Sequence, residues 1–243
     1  MTSSLKIEAL VVDRGQRPVV RDFTYANEAP AWIGVIGANG CGKTTLLRAV
    51  AGRLPIRSGR ILLDGRDFSA DRAGRAERIG FAVEGAALPG DLSPAELFSF
   101  AAAGGGALDA PLLKPLRLAL GIDRFLDRRC NSLSAGMAQR VALFAAFLDA
   151  PGMVILDEPF NWLDPVTAFD VKQALAELVR SGGMTIVTAL HDVATLTGYC
   201  SRGLLLSAGR IALALEGDAL AAGRADPAAF ETMVVAKLRE QNG

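Results

Sequence analysis

The chain has 243 residues, 51% of them apolar, with 26 basic and 26 acidic side chains, three cysteines and a single histidine. This length suits one large domain or two small ones, and the balanced charge excludes a global basic surface, so we expect no nucleic-acid partner. The cysteines form no CxxC pair, which together with one histidine argues against a structural zinc site.

Strands and helices alternate along the chain, a pattern typical of an α/β fold with a parallel sheet. The first two predicted strands should form an antiparallel β region. Apolar patterning predicts strands at residues 5–12, 18–25, 31–36, 60–63, 78–83, 153–156, 184–189, 204–207 and 210–215. Helices are predicted at residues 44–51, 94–103, 112–120, 123–129, 135–148, 165–180, 191–199 and 226–241, with a glycine-rich break at 104–107.

The middle of the chain differs from its two ends. Residues 84–150 contain predicted helices and no predicted strand. We therefore expect a single domain, in which residues 1–83 and 151–243 form an α/β core and residues 84–150 form an inserted α-helical subdomain.

A glycine-rich loop follows the third predicted strand. Its sequence, GANGCGKT at residues 37–44, matches GxxxxGK[ST], the P-loop, and a predicted helix follows it as the motif requires. In such a loop the backbone N–H groups surround a β-phosphate, the lysine reaches the β- and γ-phosphates, and the hydroxyl binds Mg²⁺. The residues expected to contact ATP are Gly37, Asn39, Gly40, Cys41, Gly42, Lys43, Thr44 and Thr45, with Lys43 also catalytic and Thr44 on the metal.

Cys41 lies inside this loop, and two interpretations are open. One is that a small side chain simply fits there. The sharper hypothesis is that nearby N–H groups and Lys43 lower the pKa of the Cys41 thiol, so that it reacts with alkylating reagents unless ATP protects it.

A second anion-binding pattern opens the helix predicted at residues 135–148. Its sequence, NSLSAGMAQR at residues 131–140, combines two serines, a glycine and no acid. Free N–H groups, a hydroxyl cap and a favourable dipole at a helix N-terminus suit a phosphate. A capped helix without further function would need only Ser134.

Two acids and a histidine follow later strands. Asp157 and Glu158 end the apolar run MVIL, and His191 follows the run MTIVTAL. Ligands of open α/β sheets bind at the carboxyl ends of the strands, so we expect these side chains near the P-loop. Asp157 should hold Mg²⁺ directly or through water, and Glu158 should orient or deprotonate the attacking water. His191 is either a helix cap or a group that reaches the γ-phosphate, and we favour the second interpretation.

In this order and over nearly the whole length, these motifs resemble the nucleotide-binding subunit of an ATP-binding-cassette (ABC) transporter. The resemblance implies a P-loop NTPase sheet core that binds ATP and Mg²⁺ and hydrolyses ATP. The matching motifs are residues 37–44 with the Walker A loop, 133–137 with the LSGGQ signature, 154–158 with the Walker B strand, 161–164 with the D-loop and His191 with the switch histidine.

The resemblance also implies that two subunits pair head to tail. Ser134 and Gly136 of one subunit would then close on the γ-phosphate held by the P-loop of the other. The partner would be a second copy of this chain or another ABC subunit. The catalytic residues implied are Glu158, His191 and Lys43.

The sequence departs from the family pattern in three places. LSAGM stands for LSGGQ, and Glu84 stands where a glutamine is usual, which together resemble an exporter-like subclass. Glu84 can still contact Mg²⁺ or its water as an acceptor. Arg14 replaces the aromatic residue that stacks on adenine in many relatives, and an arginine plane can also stack on a base.

The function implied is an ATP-hydrolysing subunit that powers a separate integral membrane permease. The first ten residues lack the apolar core of a signal peptide, no apolar run has the length of a membrane span, and the cysteine usage favours a reducing compartment. We therefore expect a cytoplasmic protein, peripheral on the inner face of the cell membrane through its permease. The alternative is a soluble ABC ATPase of a non-transport machine, such as iron–sulfur cluster assembly.

Overall fold

The computed structural model describes residues 4–102, 110–148 and 152–240. In it, the N-terminal strands form an antiparallel β-sheet. Its strands, in spatial order, are β2 (Arg17–Asn27), β1 (Leu5–Arg14), β4 (Ser58–Leu63) and β5 (Arg66–Asp67). The predicted antiparallel β region is therefore confirmed.

A second, mostly parallel sheet forms the centre of the molecule. Its strands, in spatial order, are β10 (Arg210–Glu216), β9 (Arg202–Ser207), β3 (Trp32–Ile36), β8 (Thr185–Leu190), β7 (Met153–Asp157) and β6 (Ile79–Ala82). From β9 to β6 neighbouring strands are parallel, and β10 pairs antiparallel with β9. The strand order is not the chain order, and it places β8 between β3 and β7. Because these three neighbouring strands are parallel, their carboxyl ends lie side by side at one edge of the sheet.

The helices cover the sheet and fill the segment between β6 and β7. In the described part of the chain they are α1 (Lys43–Val50), α2 (Arg72–Arg78), α3 (Pro94–Ala101), α4 (Lys114–Leu120), α5 (Ala135–Ala145), α6 (Pro165–Gly182), α7 (Val193–Tyr199), α8 (Gly217–Ala225) and α9 (Pro227–Glu240). None of these helices combines the length and apolar character that a membrane span requires. The division at residues 83/84 and 150/151 stays a prediction.

The central strands are buried because apolar layers cover both faces of the sheet. Alternate side chains of one strand enter different core clusters: Trp32 and Ile36 of β3 belong to one, Ile33 and Val35 to the other. Strands buried on both faces are continuous apolar runs. All five residues of β3 are buried, as are the first four of β7.

Two predicted helices differ from the structure for a local reason. Residues 123–129 were predicted helical, but Ile122–Arg124 is a single 3₁₀ turn. Gly121 ends α4 with a left-handed φ of 59°, and the following amides bond three residues back instead of four. The predicted helix at 191–199 begins at Val193, because Asp192 caps it. The break at 104–107, Ala103 and Gln241 lie outside the described residues.

Three elements were not predicted: β5, α2 and α8. Helix α2 buries only Gly74 and Arg75, so it has no apolar periodicity that a sequence pattern could reveal. The Arg75 guanidinium donates instead to the carbonyl oxygens of Phe68 and Ser69, at 2.5 and 2.8 Å.

Candidate functional site

The P-loop connects β3 to α1 and depends on glycine for its shape. Gly42 has φ 111°, a conformation that L side chains rarely adopt. A Cβ at Gly37 would lie 2.3 Å from the carbonyl oxygen of Leu206, so only glycine fits there. Lys43 is a buried residue, and its ammonium donates to the Gly37 carbonyl oxygen at 2.7 Å, which holds this cation inside the loop.

A cavity of about 380 Å³ lies beside the loop. Residues from four separate segments meet in it, and the predicted Glu158 and His191 are among them. Its lining is Val19, Asn39, Gly40, Gly42, Lys43, Thr44, Thr45, Glu158 and His191. The structure thus brings most of the expected phosphate-contacting residues together with both predicted catalytic side chains from later strands.

Thr44 and Asp157 supply neighbouring oxygen atoms at this edge of the sheet. Thr44 Oγ1 donates to Asp157 Oδ1 at 3.2 Å, although the two residues are 113 positions apart. Burial raises the pKa of Asp157, and the Thr44 hydrogen bond opposes that effect. No group of three or more His, Cys, Asp or Glu side chains within the described ranges could hold a metal by itself. A hydroxyl and one carboxylate fit Mg²⁺, which keeps waters and takes further oxygens from a substrate's phosphates.

Glu158 and His191 form a contact pair across the ends of β7 and β8. Glu158 Oε2 lies 2.6 Å from His191 Nε2 and accepts a hydrogen bond from Asn161 Nδ2 at 2.9 Å. Glu158 also has a left-handed φ of 52°, which costs a non-glycine residue about 1–2 kcal/mol. His191 precedes the cap of α7, Asp192, so the helix-cap interpretation of His191 is wrong.

Glu84 lies on a second cavity of about 630 Å³, whose lining also includes Thr44, Asp157 and Glu158. Its carboxylate is paired with Arg48, at 3.0 Å between Oε1 and Nη2. Arg48 is four residues after Thr44 on α1, so the two side chains share one helix face. A contact of Glu84 with Mg²⁺ stays a prediction.

The second anion-binding pattern stands at the N-terminus of α5. Ser134 caps this helix, since its Oγ accepts a hydrogen bond from the Met137 amide at 3.3 Å. Gly136 is in close contact with the D-loop, because a Cβ there would lie 2.8 Å from the Trp162 carbonyl oxygen. Among the described residues, Ser134 and Gly136 do not line the cavity beside the P-loop.

Arg14 and Cys41 are placed differently from the other predicted residues. Arg14 ends β1 as an exposed side chain and does not line either cavity in the described structure. The Cys41 side chain packs in the core, where burial raises the pKa of its thiol and Lys43 lowers it less. The hypothesis that the loop lowers the pKa of Cys41 is therefore wrong.

Sequence reasoning missed three contacts of the site. Val19 of β2 lines the P-loop cavity, Asn161 donates to Glu158, and Arg48 pairs with Glu84. The four-residue spacing from Thr44 to Arg48 was a usable signal, because it places both on one helix face. Val19 depends on how the antiparallel sheet packs on the loop, which no local pattern records.

Known ATP-binding cassettes are similar to this chain in sequence and in fold. Residues 20–161, more than half of the chain, match the family described as ABC transporter. The phosphonates import ATP-binding protein PhnC of Trichormus variabilis is 30% identical, over 84% of this chain and 88% of its own. The cytochrome c biogenesis ATP-binding export protein CcmA of Pseudomonas fluorescens is 31% identical, over 82% and 95%.

A solved structure has the same fold. The dimeric cassette MJ0796, in a post-hydrolysis state bound to ADP and Pi, superposes with a TM-score of 0.75 over 87% of this chain and 98% of its own, at 21% identity. The relatives are named for transport, in both directions, so an assembly-machine function is not favoured. The chain belongs to the ABC transporter family, as an ATP-binding subunit with ABC-type ATPase activity.

Proposed function

We propose that this chain is a cytoplasmic cassette that pairs head to tail with a second cassette and drives an integral membrane permease. One observation carries the head-to-tail arrangement. The P-loop, Glu158 and His191 share a cavity, whereas the N-terminus of α5, which the exposed Ser134 caps, lies outside the residues that line that cavity. A second chain would complete each site with its own α5.

The roles proposed for the chain's residues follow from their chemistry. The loop amides and Lys43 bind the phosphates of ATP, and Thr44 with Asp157 holds Mg²⁺. Mg²⁺, when bound, neutralises charge on the β- and γ-phosphates. Glu158 accepts the proton of the attacking water or orients it, and His191, which lines the same cavity, contacts the γ-phosphate.

The phosphate and adenine contacts complete the proposed site. Ser134 and Gly136 would contact the γ-phosphate held by the partner. Arg14, exposed at the hairpin end, would stack on adenine. Glu84 would reach Mg²⁺ or its water only after leaving Arg48.

The permease would dock at the helical side of the molecule. The cavity beside Glu84 is bordered by Gly85, Ala86 and Leu88 of the loop that follows β6. This loop joins the sheet edge to the helical region, so a permease segment bound there would sense the state of the nucleotide site. The proposal covers transport in either direction, because the chain is 30% identical to an import protein and 31% identical to an export protein.

The test compares Glu158→Gln with wild type and with Lys43→Ala. Glu158→Gln removes the base and should lower the turnover of ATP by about 10²–10⁴-fold. Because it retains the phosphate contacts, it should accumulate an ATP-bound dimer. Lys43→Ala, which lacks the phosphate-binding cation, should stay monomeric. Light scattering after size exclusion with ATP and Mg²⁺ measures both. A Glu158→Gln protein that binds ATP and remains a monomer would refute the head-to-tail mechanism.

The permease is tested separately. Tagged protein is isolated from detergent-solubilised cells of its own host, and the co-purified chains are identified by mass spectrometry. A polytopic membrane protein in stoichiometric amount is the expected result. Only soluble partners would overturn the permease assignment without touching the ATPase.

A further inference from the structure

A half-buried lysine on α6 contacts both of the segments that carry the Glu158–His191 pair. Lys172 Nζ donates to Thr195 Oγ1 at 2.6 Å. The same ammonium lies 4.9 Å from the ring centroid of Phe160 and 5.9 Å from that of Tyr199. These are cation–π distances. Lys172 forms no ion pair with any carboxylate in the described part of the chain, so its charge is held by a hydroxyl and two ring faces.

One side of this contact leads to His191. Thr195 Oγ1 donates to Asp192 Oδ2 at 2.9 Å, and the Thr195 amide donates to Asp192 Oδ1 at 2.6 Å. A hydroxyl has one proton, so Lys172 must be the donor at Thr195, which leaves the Thr195 proton for Asp192. The hydrogen bonds therefore run in one direction, from Lys172 to Thr195 and from Thr195 to Asp192. Asp192 immediately follows His191 in the chain.

The other side leads to Glu158. Phe160, under the ammonium, is two residues beyond Glu158, and the backbone turns sharply between them because Glu158 is left-handed. Asn161, the next residue, donates to Glu158 Oε2. A shift of the Phe160 ring would therefore move the backbone that places the Glu158 carboxylate and its hydrogen-bond donor.

We propose that Lys172 is a positioning residue, which holds Glu158 and His191 at their contact distance by joining Phe160 to the Thr195–Asp192 cap. The proposal rests on the roles given above to Glu158 and His191. Lys172 itself does not line the cavity beside the P-loop among the residues described. A displacement of about 1 Å at a reacting group can cost about 100-fold in rate, so a residue outside the cavity can still control turnover.

The chain offers a direct probe, because His191 is its single histidine. Labelling with histidine that carries ¹³C at Cε1 only gives one imidazole signal in a ¹H–¹³C spectrum, without nucleotide or turnover. Lys172→Met keeps the length and apolar stem but removes the donor and the charge, whereas Lys172→Arg keeps both. Lys114→Met, at an exposed lysine of α4, is the matched control. Thr195→Val breaks the hydrogen-bond chain with a side chain of similar shape.

We expect Lys172→Met to move the His191 signal and lower kcat by about 10–100-fold, with the KM for ATP and the melting temperature within a small margin of wild type. Lys172→Arg should restore most of the wild-type signal position and most of kcat. Thr195→Val should move the His191 signal in the same direction as Lys172→Met does, and Lys114→Met should match wild type in both measurements. An unmoved His191 signal with unchanged kcat in Lys172→Met would overturn the proposal. So would a loss explained wholly by a raised KM or by unfolding.

Two further variants separate this proposal from the proposed function. His191→Ala and Glu158→Gln should each lose turnover. If they do and Lys172→Met does not, only the positioning role falls. If both retain full turnover, the catalytic roles are wrong and the positioning role falls with them.

Discussion

The contact between α5 and the D-loop predicts that two glycine-to-alanine changes have opposite effects on the free energy of unfolding. Gly198 of α7 has open space where a Cβ would be added, whereas a Cβ on Gly136 would lie 2.8 Å from the Trp162 carbonyl oxygen. Alanine is favoured over glycine in a helix by about 0.5–1 kcal/mol. Gly198→Ala should therefore raise the free energy of unfolding by that amount.

Gly136→Ala has the same propensity gain and an added clash. Overpacking costs about 1–3 kcal/mol, so after the propensity gain the net change should be a loss of about 0–2.5 kcal/mol. The Trp162 carbonyl belongs to the backbone, so the D-loop must move to relieve the contact. Asn161 precedes Trp162 and donates to Glu158, so this movement should also lower turnover.

The assay is urea unfolding of both variants beside wild type, with ATPase rates measured on the same samples. One kcal/mol corresponds to about 2–4 °C in melting temperature for a chain of this size. The reasoning is refuted if Gly136→Ala stabilises the protein as much as Gly198→Ala does. Equal turnover in all three proteins would refute the link from Gly136 to Glu158.

Three further changes test the electrostatics of the site. Arg48→Gln should raise the affinity for Mg²⁺·ADP several-fold, because it releases the Glu84 carboxylate, and the gain should vanish in a Glu84→Gln background. The affinity is measured by titration with a fluorescent nucleotide, and an equal gain in both backgrounds contradicts this. The pKa of Asp157 is raised, so the ionised native state is penalised at neutral pH. In EDTA, Asp157→Asn should therefore raise the melting temperature at pH 7. The gain should shrink as the pH falls through the raised pKa and be absent below pH of about 4, where the carboxyl is protonated in both the folded and the unfolded state; no gain at pH 7 contradicts this. The raised pKa of Cys41 predicts slow reaction with N-ethylmaleimide at pH 7, and mass spectrometry showing fast labelling there would contradict the buried geometry.

Part of the fold follows from local patterns. The P-loop follows an apolar strand and opens a helix, and its glycines are required by the positive φ of Gly42 and the close approach at Gly37. Ser134, four residues after Cys130, is the cap that the sequence predicts for α5. These features depend on side chains within one or two turns of each other, so a single sequence determines them.

Elements without an apolar signal escaped sequence reasoning. Helix α2 is held by a buried arginine that donates to backbone carbonyls, and the segment after Gly121 is broken into turns despite its helical composition. In both cases tertiary contacts outweigh the local pattern, because propensity is a weak preference that packing overrides.

By itself, the sequence determined the groups available to the site: the P-loop, the two acids at the end of β7, the single histidine after β8 and the serine that caps α5. Only the tertiary structure decided which groups meet. It placed Glu158 2.6 Å from His191, paired Glu84 with Arg48, buried the Cys41 thiol and brought Lys172 to both catalytic segments. The physical reason is the strand order, since the parallel sheet sets β7 and β8 side by side and packs α6 and α7 against one face. Motifs that are far apart in the chain become neighbours through those contacts.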